Sequence, residues 1–391
     1  MTDHRFTLGI EEEFQLVDCQ TGEMRSCAQS VLEKCEPYFE EKLKPELMQS
    51  TIELVTSVLP DITTARAELY AARALLTRLL AEENLALVSG GTHPGASWLA
   101  QEVTPQDRYR EMMDEYQDVA RSGLIFGLHV HVAVPSPEIS IAVMNQARTW
   151  LPHLLALSSN SPFWHGRMTG LKSHRSAVWK RFPRSGMPDV YPSRQHFDRY
   201  VQTLVAHGVI DNGKKIWWDV RPHPFYGTIE FRICDMPATL EDTLSIAALC
   251  QALVARLVHL NQHGEGVPTL TSDYLNENKW RAMRYGLDAE VLDFLQHRNV
   301  NMRDSIRELL EFVSDEVEEL GSQREMEYIY SRLDDPRGTG ADHQIAVYQQ
   351  SNGDVGSVQQ FLVQQTRQNV LTDAIALSQP LFTFRMYERM S

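Results

Sequence analysis

The stretch Thr7-Leu-Gly-Ile-Glu-Glu-Glu-Phe-Gln-Leu-Val17 decides how the rest of the chain is read. In an extended strand, successive side chains point to opposite faces. Leu8, Ile10, Phe14 and Leu16 then share one face, while Glu11, Glu13 and Gln15 share the other. Carboxylates two residues apart on a strand repel unless a cation or a donor sits between them. Oxygen ligands of that kind suit a hard metal such as Mg²⁺, although a solvated strand face accounts for the same residues. Alternation puts Glu12 on the Ile10/Phe14 side, where it requires a bulge, a sheet edge or a buried donor.

Further stretches repeat this asymmetry. In Leu47–Leu59, Gln49, Thr51 and Glu53 oppose Ile52 and Leu54. In Leu124–Val134, His129 and His131 share a face with Gly127, against Leu128, Val130 and Val132. In Gly227–Asp235, Thr228, Glu230 and Arg232 oppose Ile229, Phe231 and Ile233, and in Ile216–Arg221 Asp219 falls with Arg221. Ala86–Ser89 reads as one more strand. The expectation is an α+β fold whose largely antiparallel sheet packs one face on helices and keeps the other chemically loaded. Carboxylates with imidazoles hold Mg²⁺ or Mn²⁺, and arginines clamp phosphate or carboxylate. Phosphoryl transfer needs those two parts. There is no G-x-x-x-x-G-K-[ST] and no G-x-G-x-x-G, so an ATP site here would be cradled by the sheet. Taken singly, His-x-His is often structural and Glu-x-Arg is usually a surface ion pair.

The 391 residues and their apolar content provide for a sizeable core. The net charge of −15 argues against nucleic-acid or anionic-membrane partners. Five cysteines without a C-x-x-C pair, and no signal peptide, point to a reducing, cytoplasmic setting. No apolar run reads as long enough to span a bilayer. Helices are expected over Asp61–Asn84, with Asp61 as N-cap, and over Thr239–Asn261, Met302–Leu320 and Arg324–Leu333. No linker stands out, so residues 1–391 read as one domain, sheet-rich over 1–238 and mainly helical over 239–391. Within the first part Ser158–Pro192 is a basic, Pro/Gly-punctuated loop, a candidate lid. There Arg167, Lys172, Arg175, Lys180, Arg181 and Arg184 could clamp an anion, with Phe163 and Trp164 as walls. Arg281 and Arg284 lie three apart, on one helix face after Asn278, and suit anion binding or surface pairing equally.

Several segments together resemble the YbdK-type carboxylate–amine ligases, the type 2 glutamate–cysteine ligase family. They are Leu8-Gly-Ile-Glu-Glu-Glu-Phe14, Gln49-Ser-Thr-Ile-Glu53, Gly90-Gly-Thr-His-Pro94, Gly127-Leu-His-Val-His131, Ser161-Pro-Phe-Trp164, Trp218-Asp-Val-Arg221, Gly227-Thr-Ile-Glu-Phe-Arg232 and Glu277-Asn-Lys-Trp-Arg-Ala-Met-Arg284. The resemblance implies a glutamine synthetase-like fold, with ATP and divalent cations on the open face of a curved sheet. By position it implies Glu11, Glu13, Glu53, His129 and Glu230 as cation ligands and Arg232 as the residue that stabilises the transferred phosphoryl group. Arg221 is the next phosphate contact, and Arg175, His131, Arg281 and Arg284 are candidate substrate contacts. The implied reaction joins a carboxylate, such as the γ-carboxyl of glutamate, to an amine such as cysteine through an acyl phosphate. The expected partners are small-molecule substrates, and a homo-oligomer is compatible with the sequence. Two alternatives compete: a Zn²⁺ amide hydrolase built on His129 and His131, and a nucleotide-binding relative without catalysis.

Overall fold

In the computed structural model, which describes residues 6–368 and 370, the central sheet has seven strands. They are β1 (Leu8–Asp18), β2 (Leu43–Pro45), β3 (Thr51–Val55), β4 (Leu85–Val88), β5 (Gly127–Ala133), β6 (Val220–Pro222) and β7 (Thr228–Asp235). The order is β6-β7-β5-β1-β3-β2, with β4 on the far end of β1, and every pairing is antiparallel. The alternation anticipated for β1 is present: Leu8, Ile10, Phe14 and Leu16 are buried, and Gly9, Glu11 and Glu13 lie half-buried on the opposite face. Helices Ile62–Ala81, Leu151–Ser158 and Leu240–Gln262 cover the apolar face.

Glu12 resolves as the third of its alternatives. It is fully buried on the helix side, where Arg73 of Ile62–Ala81 clasps it through Nε at 3.0 Å and through a second contact from Nη2. The same Nη2 donates to Thr243 Oγ1 of Leu240–Gln262 at 3.2 Å. One carboxylate thus ties the central strand to two of the covering helices. Asp61 caps its helix as expected, its carboxylate accepting from the Thr64 N–H at 2.7 Å.

Other expectations are corrected. Leu47–Leu59 is not one strand, because the chain turns at Met48–Ser50 so that β2 can pair with β3. Gln49 therefore leaves the loaded face and donates to Thr104 Oγ1 at 3.1 Å. Ile216–Arg221 breaks at Asp219: Trp217–Trp218 pairs in parallel with Ser185–Gly186, and only Val220–Pro222 joins the main sheet. Met302–Leu320 divides at Val313 into Met302–Phe312 and Ser314–Leu320. The C-terminal part contains a hairpin, Glu290–Asp293 with Arg298–Asn301. Ser158–Pro192 is ordered, with a short hairpin at Phe163–Trp164 and Arg167–Met168 and a helix at His174–Trp179. Leu240–Gln262 is long and apolar enough to cross a membrane, contrary to the sequence reading, but most of it is buried within the protein.

Candidate functional site

The site follows from strand register. β1 lies between β5 and β3, with Glu11 opposite His129, Gly9 opposite His131 and Glu13 opposite Glu53. On the other side of β5, Glu230 of β7 is opposite His131, and Arg221 of β6 is opposite Glu230. Residues far apart in sequence thereby reach one wall of a cavity of about 400 Å³. Glu11, Glu13, Glu53, His129, His131, Arg175, Arg221, Glu230 and Arg232 all line it.

Three overlapping donor sets lie on that wall: Glu11 with His131 and Glu230, Glu11 with Glu53 and His129, and Glu13 with Glu46 and Glu53. Within each, one ligand atom per residue lies within 4.8 Å of the others. Glu11 Oε2 is 3.0 Å from His129 Nδ1, and its Oε1 is 3.4 Å from His131 Nε2. Oxygen-rich sets with at most one imidazole fit Mg²⁺ or Mn²⁺. They do not fit the nitrogen- or thiolate-rich structural sites or the mainly histidine catalytic sites usual for Zn²⁺.

The charges show the same thing. Burial raises the Glu53 pKa well above the ordinary carboxylate range, and Glu11, Glu46 and Glu13 add to the rise. Burial, reinforced by Glu46, lifts Glu13 to about 7. Negative charge crowded in this way is what a bound cation relieves. Burial also opposes ionisation of Glu11, but His129 and His131 outweigh it and hold its pKa well below the usual range. Burial, with Arg232 nearby, lowers His129 to about 4 and leaves a neutral imidazole able to ligate.

Glu230 is enclosed by cations. Arg221 Nε donates to its Oε2 at 2.7 Å, and Arg232 Nη1 contacts Oε1. These guanidiniums overcome the burial that would otherwise raise its pKa, so the carboxylate stays ionised. Arg232 is held through its backbone as well: its N–H donates to the Asp219 carbonyl at 2.8 Å, and its own carbonyl accepts from Arg175 Nη2 at 3.1 Å. Arg175 thus serves as a brace, and it passes so close to Gly127 that a Cβ there would lie 2.2 Å from Nη2.

Some expected contacts lie elsewhere. Arg281 pairs with Glu277 at 2.8 Å and Arg284 packs on Tyr285, neither on the cavity wall. On the same helix Lys279 makes a buried 2.6 Å pair with Asp219, also away from the cavity wall. Lys172 is paired with Asp342, and Phe163 packs on Tyr348 away from the cavity. Trp179 and Phe182 are the walls that the basic segment supplies. Sequence reasoning missed Glu46, Arg108 and Tyr109, which also line the cavity. The signal for Glu46 was Leu43-Lys-Pro-Glu46, a short strand running directly into the turn that returns as β3.

Known proteins share the sequence pattern and the fold of this chain. A family model for Glutamate-cysteine ligase family 2 matches residues 7–361. A Sorangium cellulosum protein named "Putative glutamate--cysteine ligase 2" is 49% identical over 350 residues, covering 89% of this chain and 93% of its own. A Chloroflexus aggregans protein of the same name is 45% identical over 368 residues, 94% of each chain. Among solved structures, a glutamate–cysteine ligase from Francisella tularensis in complex with AMP superposes with a TM-score of 0.68 at 14% identity, covering 96% of this chain and 91% of that one. A bifunctional glutathione synthetase from Pasteurella multocida gives 0.67 at 14% identity, covering 94% of this chain and 53% of that one. At such identities these two likenesses establish a shared fold.

Proposed function

The chain belongs to glutamate–cysteine ligase family 2, and on that premise we propose that it is an ATP-dependent carboxylate–amine ligase working in the cytoplasm on small molecules. The acid is the γ-carboxyl of glutamate, and the amine is one such as cysteine. The carrying observation is the coincidence on one sheet face of three carboxylate-rich donor sets with Arg221 and Arg232.

Glu11, Glu13, Glu46, Glu53, His129, His131 and Glu230 would hold divalent cations, which screen the polyphosphate of ATP when bound. A carboxylate oxygen of the acid takes the γ-phosphoryl group and ADP leaves. The amine nitrogen then attacks the acyl carbon, the C–O bond to phosphate breaks, and a proton departs from nitrogen. Negative charge develops on the equatorial phosphoryl oxygens during the first step. Arg232 faces that charge with its backbone held by Asp219 and Arg175 and its guanidinium held by Glu230, so little reorganisation is required. Arg221 supplies the second positive charge. It is less mobile still, since Nη1 also donates to the Lys214 carbonyl at 2.8 Å.

The zinc hydrolase alternative is the weaker reading, because none of the three donor sets offers more than one imidazole among its carboxylates. The test is ADP release from Mg²⁺–ATP with glutamate and a panel of amines, with the product identified by mass. Glu230→Gln retaining full ADP production would place the site wrongly. Turnover without ATP would sink the ligase assignment.

A further inference from the structure

The cavity has two ends of different chemistry, separated along the strands. Gly127 and His131 are four residues apart on β5, roughly 13 Å. Beside His131 are Thr228 and the hairpin after β6, where His223 stacks on Tyr226 with ring centroids 4.1 Å apart. Beside Gly127 are Glu13 and Arg175. Arg175 and Trp179 are four apart on the helix His174–Trp179 and so share a face. Trp179 begins an aromatic wall: its ring is 5.3 Å from Phe182, which is 5.8 Å from Trp217, which is 5.7 Å from Tyr116. All four rings line the cavity, and the Arg232 guanidinium sits 5.6 Å from the Trp179 centroid. The wall therefore starts beside the residue assigned to the transferring phosphoryl group.

Each ligand of the proposed reaction needs a surface. The acid seeks cations, which Arg108 and Lys215 provide on the cavity wall. Adenine seeks a flat partner, which the His223–Tyr226 stack offers at the other end. Four rings contiguous with the reaction centre remain, Trp179 and Tyr116 half-buried and Phe182 and Trp217 buried, a continuous aromatic lining that matches a ring rather than a CH₂SH group. We propose that the amine substrate carries an aromatic side chain, seated on the wall formed by Tyr116, Trp179, Phe182 and Trp217. This inference rests on the ligase reading and deepens it.

The test compares 2-phenylethylamine, tyramine and phenylalanine with cysteine and methylamine, in ADP release with glutamate and Mg²⁺–ATP and in calorimetric binding to the full chain without ATP. The aromatic amines are expected to give kcat/KM at least roughly tenfold above cysteine. Trp179→Leu should erase that preference by raising KM for the aromatic amine more than for methylamine. Phe182→Leu gives the same reading should the first variant fold poorly. ADP release that is best with cysteine would overturn the aromatic assignment and leave the ligase intact. No ADP with any pair would count against the ligase, and calorimetry would then decide the wall: phenylethylamine binding upholds it, and none refutes it. Displacement of phenylethylamine by AMP alone would put adenine on these rings and overturn the proposal.

Discussion

Removing Arg73 should destabilise the chain far more than a surface arginine would, while leaving the chemistry in place. Glu12 and Arg73 are 0% and 1% exposed and make two direct contacts, and Thr243 takes a third bond from the same guanidinium. Arg73→Met leaves Glu12 as a buried carboxylate with no cation. Breaking such a pair from one side costs about 3–5 kcal/mol. With an unfolding entropy of about 2.1 cal/mol/K per residue, 4 kcal/mol lowers the melting temperature of a chain this long by about 5 °C. Glu12→Gln, which keeps an acceptor for Arg73, should cost less. The double variant Glu12→Leu/Arg73→Met removes both charges and should recover much of the loss. Thermal melts of the four proteins close the cycle, and ADP release well below the melting range separates stability from function. Additive losses in the double variant would refute the buried-pair account. A Glu12→Gln protein that melts normally but no longer responds to Mn²⁺ would place Glu12 in the site.

Three further outcomes follow from the geometry. Glu46→Gln should stabilise the cation-free chain by about 0.5–2 kcal/mol by relieving repulsion among Glu13, Glu46 and Glu53, yet weaken Mn²⁺ binding followed by electron paramagnetic resonance; unchanged Mn²⁺ affinity would exclude Glu46 as a ligand. Gly127→Ala should leave a folded chain with at least roughly tenfold lower kcat, because its Cβ displaces the Arg175 guanidinium that braces Arg232; wild-type kcat would show that the brace is unnecessary. Burial lowers the buried His153 from 6.5 to about 4, so between those values the unfolded chain takes up a proton that the folded chain refuses. Stability should therefore fall as pH drops from 6.5 towards 4, by at most about 3 kcal/mol for this group, and His153→Gln should flatten that slope in urea titrations, whereas an unchanged slope would remove His153 as its source.

The sheet and most of the site were legible because period-two alternation reports the face of every residue in a straight strand. Glu11, Glu13, His129, His131 and Glu230 share the cavity wall for that reason. Alternation failed where the backbone departs from a strand. The turn at Met48–Ser50 removed Gln49 and concealed Glu46, and the break at Asp219 sent that carboxylate to Lys279 rather than to the side of Arg221. Glu12 was placed on the correct face by the same rule, but its partner could not be read. Arg73 lies on a helix whose rotation about its axis is set by packing, not by local pattern. Arg281 and Arg284 illustrate the same limit: shared helical spacing says that two residues are neighbours, not which way they face.

What distinguishes the loaded face from an ordinary polar one is that its charges are not arranged for stability. Where this fold needs a buried carboxylate for structure, it supplies a guanidinium, as Arg73 does for Glu12. Glu230 stands between the two cases: Arg221 and Arg232 pair with it, yet it also shares a donor set with Glu11 and His131. Glu53 has only Lys44 opposite it on β2, and it faces Glu11, Glu13 and Glu46 at close range under burial that already disfavours the charge. A sequence selected for stability alone would break this cluster, since a single amide substitution relieves it. Its presence beside two restrained arginines is therefore an argument for a cation-dependent anionic substrate that no count of charged residues could supply.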